Sequence, residues 1–280
     1  MNQPQIGPEK GTLVIVGGGR NAMPEILTRF VALAGGLSAP IIIIPTAAEE
    51  EFPGPYAPHV EDFMAVGAHD VQVLHTRDPQ VADTDAFLAP LQRAQGIWFV
   101  GGRHWRLADA YLGTRAHTEF QALLARGGVI GGTSAGATIQ GSFMVRGDTA
   151  GNQIVVGDHT EGFGFLRNVT IDQHHLKRNR HFDLIEVIQE HPALLGIGID
   201  EDTAIVVTGD QFEVIGQSYV AIYDHEKMVG PRGHFYFLAP GDRFDLAARA
   251  VIPPPAKRAD AFTQVVGQPW TGQTNSFTNH

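Results

Sequence analysis

Short runs of β-branched and aliphatic residues recur through the first half of the chain. Each is followed by a longer stretch in which apolar and polar positions mix at helical spacing. The runs are Leu13–Val16, Ile41–Ile44, Val71–Leu74, Ile97–Val100 and Val129–Ile130. Helical stretches are expected near 24–34, 59–66, 85–92 and 106–112, with another ending near Arg126. A strand that is apolar at every position has both faces buried, so the series predicts a mostly parallel sheet with helices on both faces. Further on the pattern changes. After the apolar run Val169–Ile171 and a helix over 182–190 come Gly196–Asp200, Ala204–Thr208, Phe212–Ile215, Tyr219–Tyr223 and His234–Leu238. Short turns such as Thr208-Gly209-Asp210 separate them, which predicts antiparallel hairpins toward the C-terminus. The expected fold is α/β and doubly wound, in one domain over 1–280. Its polar tail, 253–280, opens with Pro253-Pro254-Pro255, carries Trp270 and Phe277, and is expected either to be mobile or to pack on the body or at a dimer contact.

Composition narrows the function. The 280 residues are 43% hydrophobic and 18% charged, enough to bury an ordinary core. A net charge of −10 argues against a nucleic-acid partner, which would want a basic face. The chain has no cysteine, so disulfides, thiol catalysis and Cys-containing zinc sites are excluded. Its apolar runs are strand-sized, which predicts neither a membrane span nor a signal-peptide core and makes a cytoplasmic enzyme the expectation.

The strongest chemical signal is Gly131-Gly132-Thr133-Ser134-Ala135-Gly136-Ala137, which follows an apolar strand and precedes a helix-like stretch. Within it Gly132, Ser134 and Gly136 form G-x-S-x-G, the pattern of a nucleophile elbow. Small neighbours permit a sharp turn that raises the Ser134 hydroxyl at the carboxyl end of the strand, where open α/β sheets bind ligands. The Ala135 N–H then becomes an oxyanion donor, and Gly102, of the glycine pair after Ile97–Val100, supplies a second. A serine nucleophile needs a base. Asp172-Gln173-His174-His175 follows Val169–Ile171 and offers His174, with His175 as the close rival. The alternative for this cluster is a metal site from His174, His175, His181 and Asp172. The i, i+4 histidine spacing of helical zinc sites is absent, and no metal or cofactor is expected. Glu201 is favoured as the orienting acid, with Asp200 and Asp202 as turn or substrate contacts. The order Ser, His, acid differs from the order in α/β-hydrolases.

Residues 131–137, 172–180 and 195–204 resemble the corresponding motifs of the cyanophycinase family of serine peptidases, and Leu195-Gly196-Ile197-Gly198-Ile199-Asp200-Glu201-Asp202-Thr203-Ala204 is the most specific of them. The resemblance implies a flavodoxin-like or class I glutamine amidotransferase-like sheet and a triad of Ser134, His174 and Glu201. It further implies hydrolysis of β-linked aspartyl-arginine units of cyanophycin or of related aspartyl dipeptides, and a homodimer. Arg178 and Arg180 would bind an aspartyl carboxylate; Asp172, Gln173 and Arg103 complete the expected substrate contacts. Three positions depart from the family pattern: Asp183 replaces a basic residue, Arg103-His104 follows the glycine pair, and Gly19-Arg20-Asn21 replaces an acid–lysine pair. Reversed charge at Asp183 would weaken binding of a carboxylate.

Two rivals remain at this point. Gly17-Gly18-Gly19-Arg20-Asn21-Ala22 fits the G-x-G-x-x-A turn of a dinucleotide-binding protein, although the second strand ends without the acid that would hold the ribose. The other rival is a homologue that binds aspartyl peptides without cleaving them.

Overall fold

The computed structural model of the protein describes residues 5–49, 57–227 and 234–254. Residues 255–280, with Trp270 and Phe277, lie outside the described residues. The parallel half of the main sheet is built from β1 (Thr12–Val16), β2 (Ile41–Ile44), β3 (Val71–Val73), β4 (Gly96–Phe99) and β5 (Val129–Thr133). Between them run α1 (Met23–Leu33), α2 (Ala57–Ala65), α3 (Pro79–Ala82), α4 (Asp85–Arg93), α5 (His104–Tyr111) and α6 (Arg115–Ala125). After β5 come α7 (Ala135–Thr138), β6 (Gly141–Phe143), β7 (Leu166–Gln173), α8 (Asp183–Glu190), β8 (Leu195–Ile199), β9 (Thr203–Thr208) and β10 (Gln211–Gly216). The chain continues through β11 (Val220–Asp224), β12 (Tyr236–Leu238), β13 (Arg243–Asp245) and β14 (Ala250–Ile252).

These strands form two sheets. The first has nine strands in the order β14-β13-β10-β9-β1-β5-β4-β2-β3, and the second has five in the order β12-β11-β8-β7-β6. In the first, β1, β5, β4, β2 and β3 run parallel, and β9 joins β1 antiparallel. In the second, β6, β7 and β8 are parallel neighbours and β11 joins β8 antiparallel. The expected α/β architecture is present, with antiparallel strands in its later part. Of the expected hairpins, that of β10 and β11 is missing, since β10 lies in the nine-stranded sheet and β11 in the five-stranded one. The hairpin of β8 and β9 is missing too. Those strands belong to different sheets, and the chain crosses between them at Asp200–Asp202. A short polar turn is the same local signal in both cases; pairing partners are a long-range property that it does not carry.

The uniformly apolar strands alternate between two cores. Leu13, Ile15, Ile42 and Ile44 face the layer shared with Leu91, Leu107 and Phe120 of α4, α5 and α6. Val14, Val16, Ile41 and Ile43 face the opposite layer, with Ile26, Leu27 and Phe30 of α1 and Phe63 of α2. There Phe30, Phe63 and Trp98 meet edge to face at 5.2–5.7 Å, each pair adding about 0.5–1.5 kcal/mol beyond area burial. The second sheet packs Val169, Ile171, Leu195 and Ile197 into the first layer. Its other face, through Ala221 and Tyr223, is covered by Leu184, Val187 and Ile188 of α8.

Candidate active site

The carboxyl ends of β1, β4 and β5 lie side by side, and β7 and β8 bring theirs to the same place from the second sheet. The β5–α7 turn is an elbow: Ser134 has φ 55° and ψ −114°, a backbone setting that a non-glycine residue rarely takes. Its tightness is explained by Gly132, where a methyl group would lie 2.3 Å from the Gly136 carbonyl oxygen. The Ser134 N–H donates to the Val16 carbonyl at 3.1 Å, anchoring the elbow on β1. The helix that follows is only four residues long, Ala135–Thr138, so an oxyanion role rests on the Ala135 N–H rather than on a long helix dipole.

His174 closes β7 with φ 50°, and its N–H donates to the Gly17 carbonyl at 2.8 Å. Its Nδ1 lies 2.7 Å from Glu201 Oε1 and its Nε2 2.9 Å from Ser134 Oγ. A carboxylate only accepts, so Nδ1–H donates to Glu201 and Nε2 is left to accept the serine proton. Burial and then the Arg178 cation lower the His174 pKa, while Glu201 opposes them. The base is therefore neutral near pH 7. Gly18 backs the ring: a methyl there would stand 2.3 Å from Cε1 of His174.

Each of the three acids between β8 and β9 has its own task. Asp200 accepts from the N–H groups of Leu176 and Lys177 at 3.0 and 2.8 Å and from the Ser218 hydroxyl at 2.7 Å, which holds the turn after His174. Glu201 takes the imidazole. Asp202 Oδ1 accepts from the N–H groups of Asn21 and Ala22 at 2.6 and 3.1 Å, and Oδ2 from the Asn21 amide at 2.9 Å. These are the donors that a dinucleotide phosphate would need, and a carboxylate of the chain already holds them. The glycine loop after β1 therefore serves as a seat for His174 and Asp202, and the nucleotide alternative loses its site.

His175, the rival base, points the other way. It is buried, with Nε2 2.6 Å from Tyr223 Oη and Nδ1 3.4 Å from Asp172. The two histidines are thus committed to different partners, and among the described residues no cluster of three His, Asp or Glu side chains is arranged to hold a metal. No helix among the described residues is long and apolar enough to cross a membrane.

The expected substrate contacts divide. Asp172 is fully buried, and both its oxygens accept from Arg146, Nε to Oδ1 at 2.7 Å and Nη2 to Oδ2 at 2.9 Å. Burial pushes the Asp172 carboxyl up, but Arg146, with His175 behind it, overrides this and holds it far below the usual range. With no exposed surface, Asp172 is closed off from a substrate, and it braces cations instead, including Arg180 at 3.7 Å. Asp183, expected as an unfavourable charge, accepts from Arg146 Nη2 at 2.7 Å, so the same guanidinium balances it. Arg180 is 3% exposed; its Nη1 donates to the Gln173 carbonyl and Oε1 at 2.9 and 3.1 Å, while Nη2 has no partner. Burial brings its pKa down to about 10, so it stays charged. Gln173 in turn donates its amide to His104 Nε2 at 3.1 Å, and burial pushes His104 down to about 3, leaving it a neutral acceptor. Arg178 is exposed. Arg103 turns from the serine and donates to the carbonyls of Asp148 and Thr149 at 3.2 and 2.8 Å.

Sequence reasoning missed Arg146. Its signal was a single cation ending the apolar run Phe143-Met144-Val145, a place where a buried charge must find a partner. Also unforeseen is the cavity of about 450 Å³ beside Ser134 and His174. Met23, Leu27, Phe63 and Trp98 line its floor, and Arg20 and Asp62, 3.5 Å apart, stand among the charged groups lining it.

An elbow serine hydrogen-bonded to a carboxylate-paired histidine, above the carboxyl ends of an α/β sheet, defines a serine-type hydrolase site. The profile of Peptidase family S51 matches residues 13–215. A cyanophycinase of Geminocystis herdmanii is 35% identical over 227 residues, covering 78% of this chain and 82% of that protein. A cyanophycinase of Trichormus variabilis is 34% identical over 268 residues, covering 87% and 88%. Among solved structures, a peptidase from an acI-B1 actinobacterium superposes with a TM-score of 0.66 at 25% identity, covering 86% of this chain and 97% of the other. The chain belongs to peptidase family S51 and is a serine-type peptidase.

Proposed function

We propose that the protein hydrolyses β-linked aspartyl peptides of the cyanophycin type through Ser134, His174 and Glu201. The observation that carries this reading is the continuous hydrogen-bond line from Ser134 Oγ through both nitrogens of His174 to Glu201. His174 takes the hydroxyl proton as Ser134 attacks the scissile carbonyl, and Glu201 stabilises the imidazolium. The oxyanion is received by the N–H groups of Ala135 and Gly102. Gly101 lies against the nucleophile, since a methyl placed on it would be 3.5 Å from Ser134 Oγ. His174 then returns the proton to the leaving amine, and water resolves the acyl-enzyme.

Arg178, exposed and close enough to depress the His174 pKa, is the contact for the aspartyl carboxylate. Arg180, with its unpartnered Nη2, backs it. The substrate class comes from the relatives named cyanophycinase together with these two cations. Incubation with cyanophycin and with α- and β-Asp-Arg dipeptides, reading released amines, tests the reading. The β-linked substrates should be cleaved, and Ser134→Ala should lower kcat by on the order of 10⁶. Labelling of Ser134 by a fluorophosphonate separates an enzyme from a binding homologue. Failure to label, or full activity in Ser134→Ala, overturns the mechanism.

A further inference from the structure

Residues 144–160 form a compact loop closed at its base, where the Met144 N–H donates to the Thr160 carbonyl at 2.7 Å and Arg146 N–H to Val155 at 2.7 Å. Asp158 holds the loop to itself, accepting from the Thr149 N–H at 3.0 Å and from its hydroxyl at 2.5 Å. Beside this base the loop is pinned to α5 by His159, whose ring lies 2.9 Å from Asp109 and 2.8 Å from Asp158.

This loop reaches the β4–α5 turn from two directions. The Asn152 amide donates to the Gly102 carbonyl at 3.3 Å, and Arg103 Nη2 donates to the carbonyls of Asp148 and Thr149. On the far side of the same peptide, the Arg103 N–H donates to the Ala47 carbonyl at 2.7 Å. Both ends of the Gly102–Arg103 peptide are therefore held. Gly102 has φ +142°, and a pair of glycines left alone would sample several orientations of the peptide between them. With Gly101 packed on Ser134 and the following peptide fixed, the intervening Gly102 N–H has one direction left. Asn152 is itself set in place from behind: its carbonyl accepts from Arg146 Nη1 at 3.3 Å, and its side chain adjoins the buried His104.

We propose that the 144–160 loop is a clamp that preorganises the Gly101–Arg103 turn for the oxyanion, with Asn152 as the positioning residue acting through Gly102 and Arg103 as the anchor from the opposite side. The inference rests on the reading of Ser134 as nucleophile. It assigns Arg103 to the clamp in place of the substrate contact expected from sequence. A positioning group of this kind acts on the transition state and leaves ground-state binding alone.

The test compares the full chain with Asn152→Leu, which keeps the size of the side chain and loses the donor, and with Arg103→Met. Arg103 is only half-buried, so its variant keeps the test open if Asn152→Leu fails to fold. Each should lower kcat about ten- to hundredfold, less than the ~10²–10³ that removal of an oxyanion donor costs. KM and the acid limb of the pH profile, which belongs to His174, should not move. The rate of fluorophosphonate labelling at Ser134 should fall in parallel. An unchanged kcat, or a raised KM at unchanged kcat, overturns the clamp. If the unaltered protein is not labelled at Ser134, the nucleophile reading and the clamp fall together; if it is labelled and both variants match its rate, the clamp alone falls.

Discussion

At the residue level, the proposed mechanism makes the protonation of one imidazole, His174, set when the enzyme can work. Burial and the neighbouring Arg178 hold His174 below its ordinary 6.5, so the base is free of its proton at neutral pH. The acid limb of kcat/KM should therefore inflect below 6.5. Arg178→Gln removes a cation that disfavours imidazolium, so the inflection should move to higher pH, toward the ordinary value. Glu201→Gln removes the partner that favours imidazolium; the inflection should move lower while kcat falls by up to about 10⁴ as the ring loses its orientation. A pH series of steady-state rates on the three proteins checks both signs. Gly18→Ala supplies a steric test, because its methyl would sit 2.3 Å from the His174 ring at a backbone φ of +123°. It should reduce kcat strongly even though the glycine touches no reacting atom. These residues were legible to unequal degrees. Ser134 announces itself through small neighbours, which are a local requirement of the elbow. His174 and Glu201 were favoured as strand-end residues, and only the geometry separates His174 from His175, which faces Tyr223, and Glu201 from its neighbours Asp200 and Asp202, which hold backbone turns.

At the level of elements, the parallel strands could be read from sequence because burial on both faces removes polar residues from every position. Ile41–Ile44 is the extreme case, split between two cores. β6, β13 and β14 were not read; Gly141-Ser142-Phe143 and Arg243-Phe244-Asp245 each carry one large apolar residue, which makes no run. The pairing of β9 with β1 instead of β8 was equally hidden, because it depends on contacts nearly two hundred positions away. Loop 144–160 shows how an element can be held by titratable groups. Hydrogen bonds that His159 donates to Asp158 and then to Asp109 raise its pKa above 6.5 in the folded protein. A raised folded pKa means that the clamp's contribution is complete below the unfolded value of 6.5 and fades as pH rises through the folded one. Thermal unfolding should accordingly show wild type losing its advantage over His159→Gln as pH climbs above about 6.5. The effect should be small, since the carboxylates are largely exposed and screened. Equal pH dependence of the two proteins would remove the ionic pin.

The whole molecule places the proposed triad on a seam. Ser134 follows β5 of the nine-stranded sheet, His174 follows β7 of the five-stranded one and Glu201 lies on the crossover between β8 and β9, so the proposed mechanism requires the native docking of both sheets. What holds the second sheet's polar interior together is Arg146, which ends the segment after β6 and binds Asp172 of β7 and Asp183 at the start of α8. A cation with this arrangement is worth most through what its removal leaves behind. Arg146→Met would strand a fully buried carboxylate, and breaking a buried pair in this way costs about 3–5 kcal/mol. The pH dependence should change sign as well. With Arg146 present, Asp172 has a depressed pKa, and its contribution is lost only as pH falls below the ordinary 3.8. Without it, burial dominates and raises the pKa, so the variant should lose stability as pH climbs above 3.8. Arg180 and His175, still nearby, soften the penalty without abolishing it. Arg146→Met with Asp172→Leu removes both charges together and should recover part of the loss, with the rising-pH penalty gone. Urea unfolding of wild type, single and double variants at pH 4 and 7 decides the matter: a single variant equally stable at both values would show that Arg146 does not neutralise Asp172.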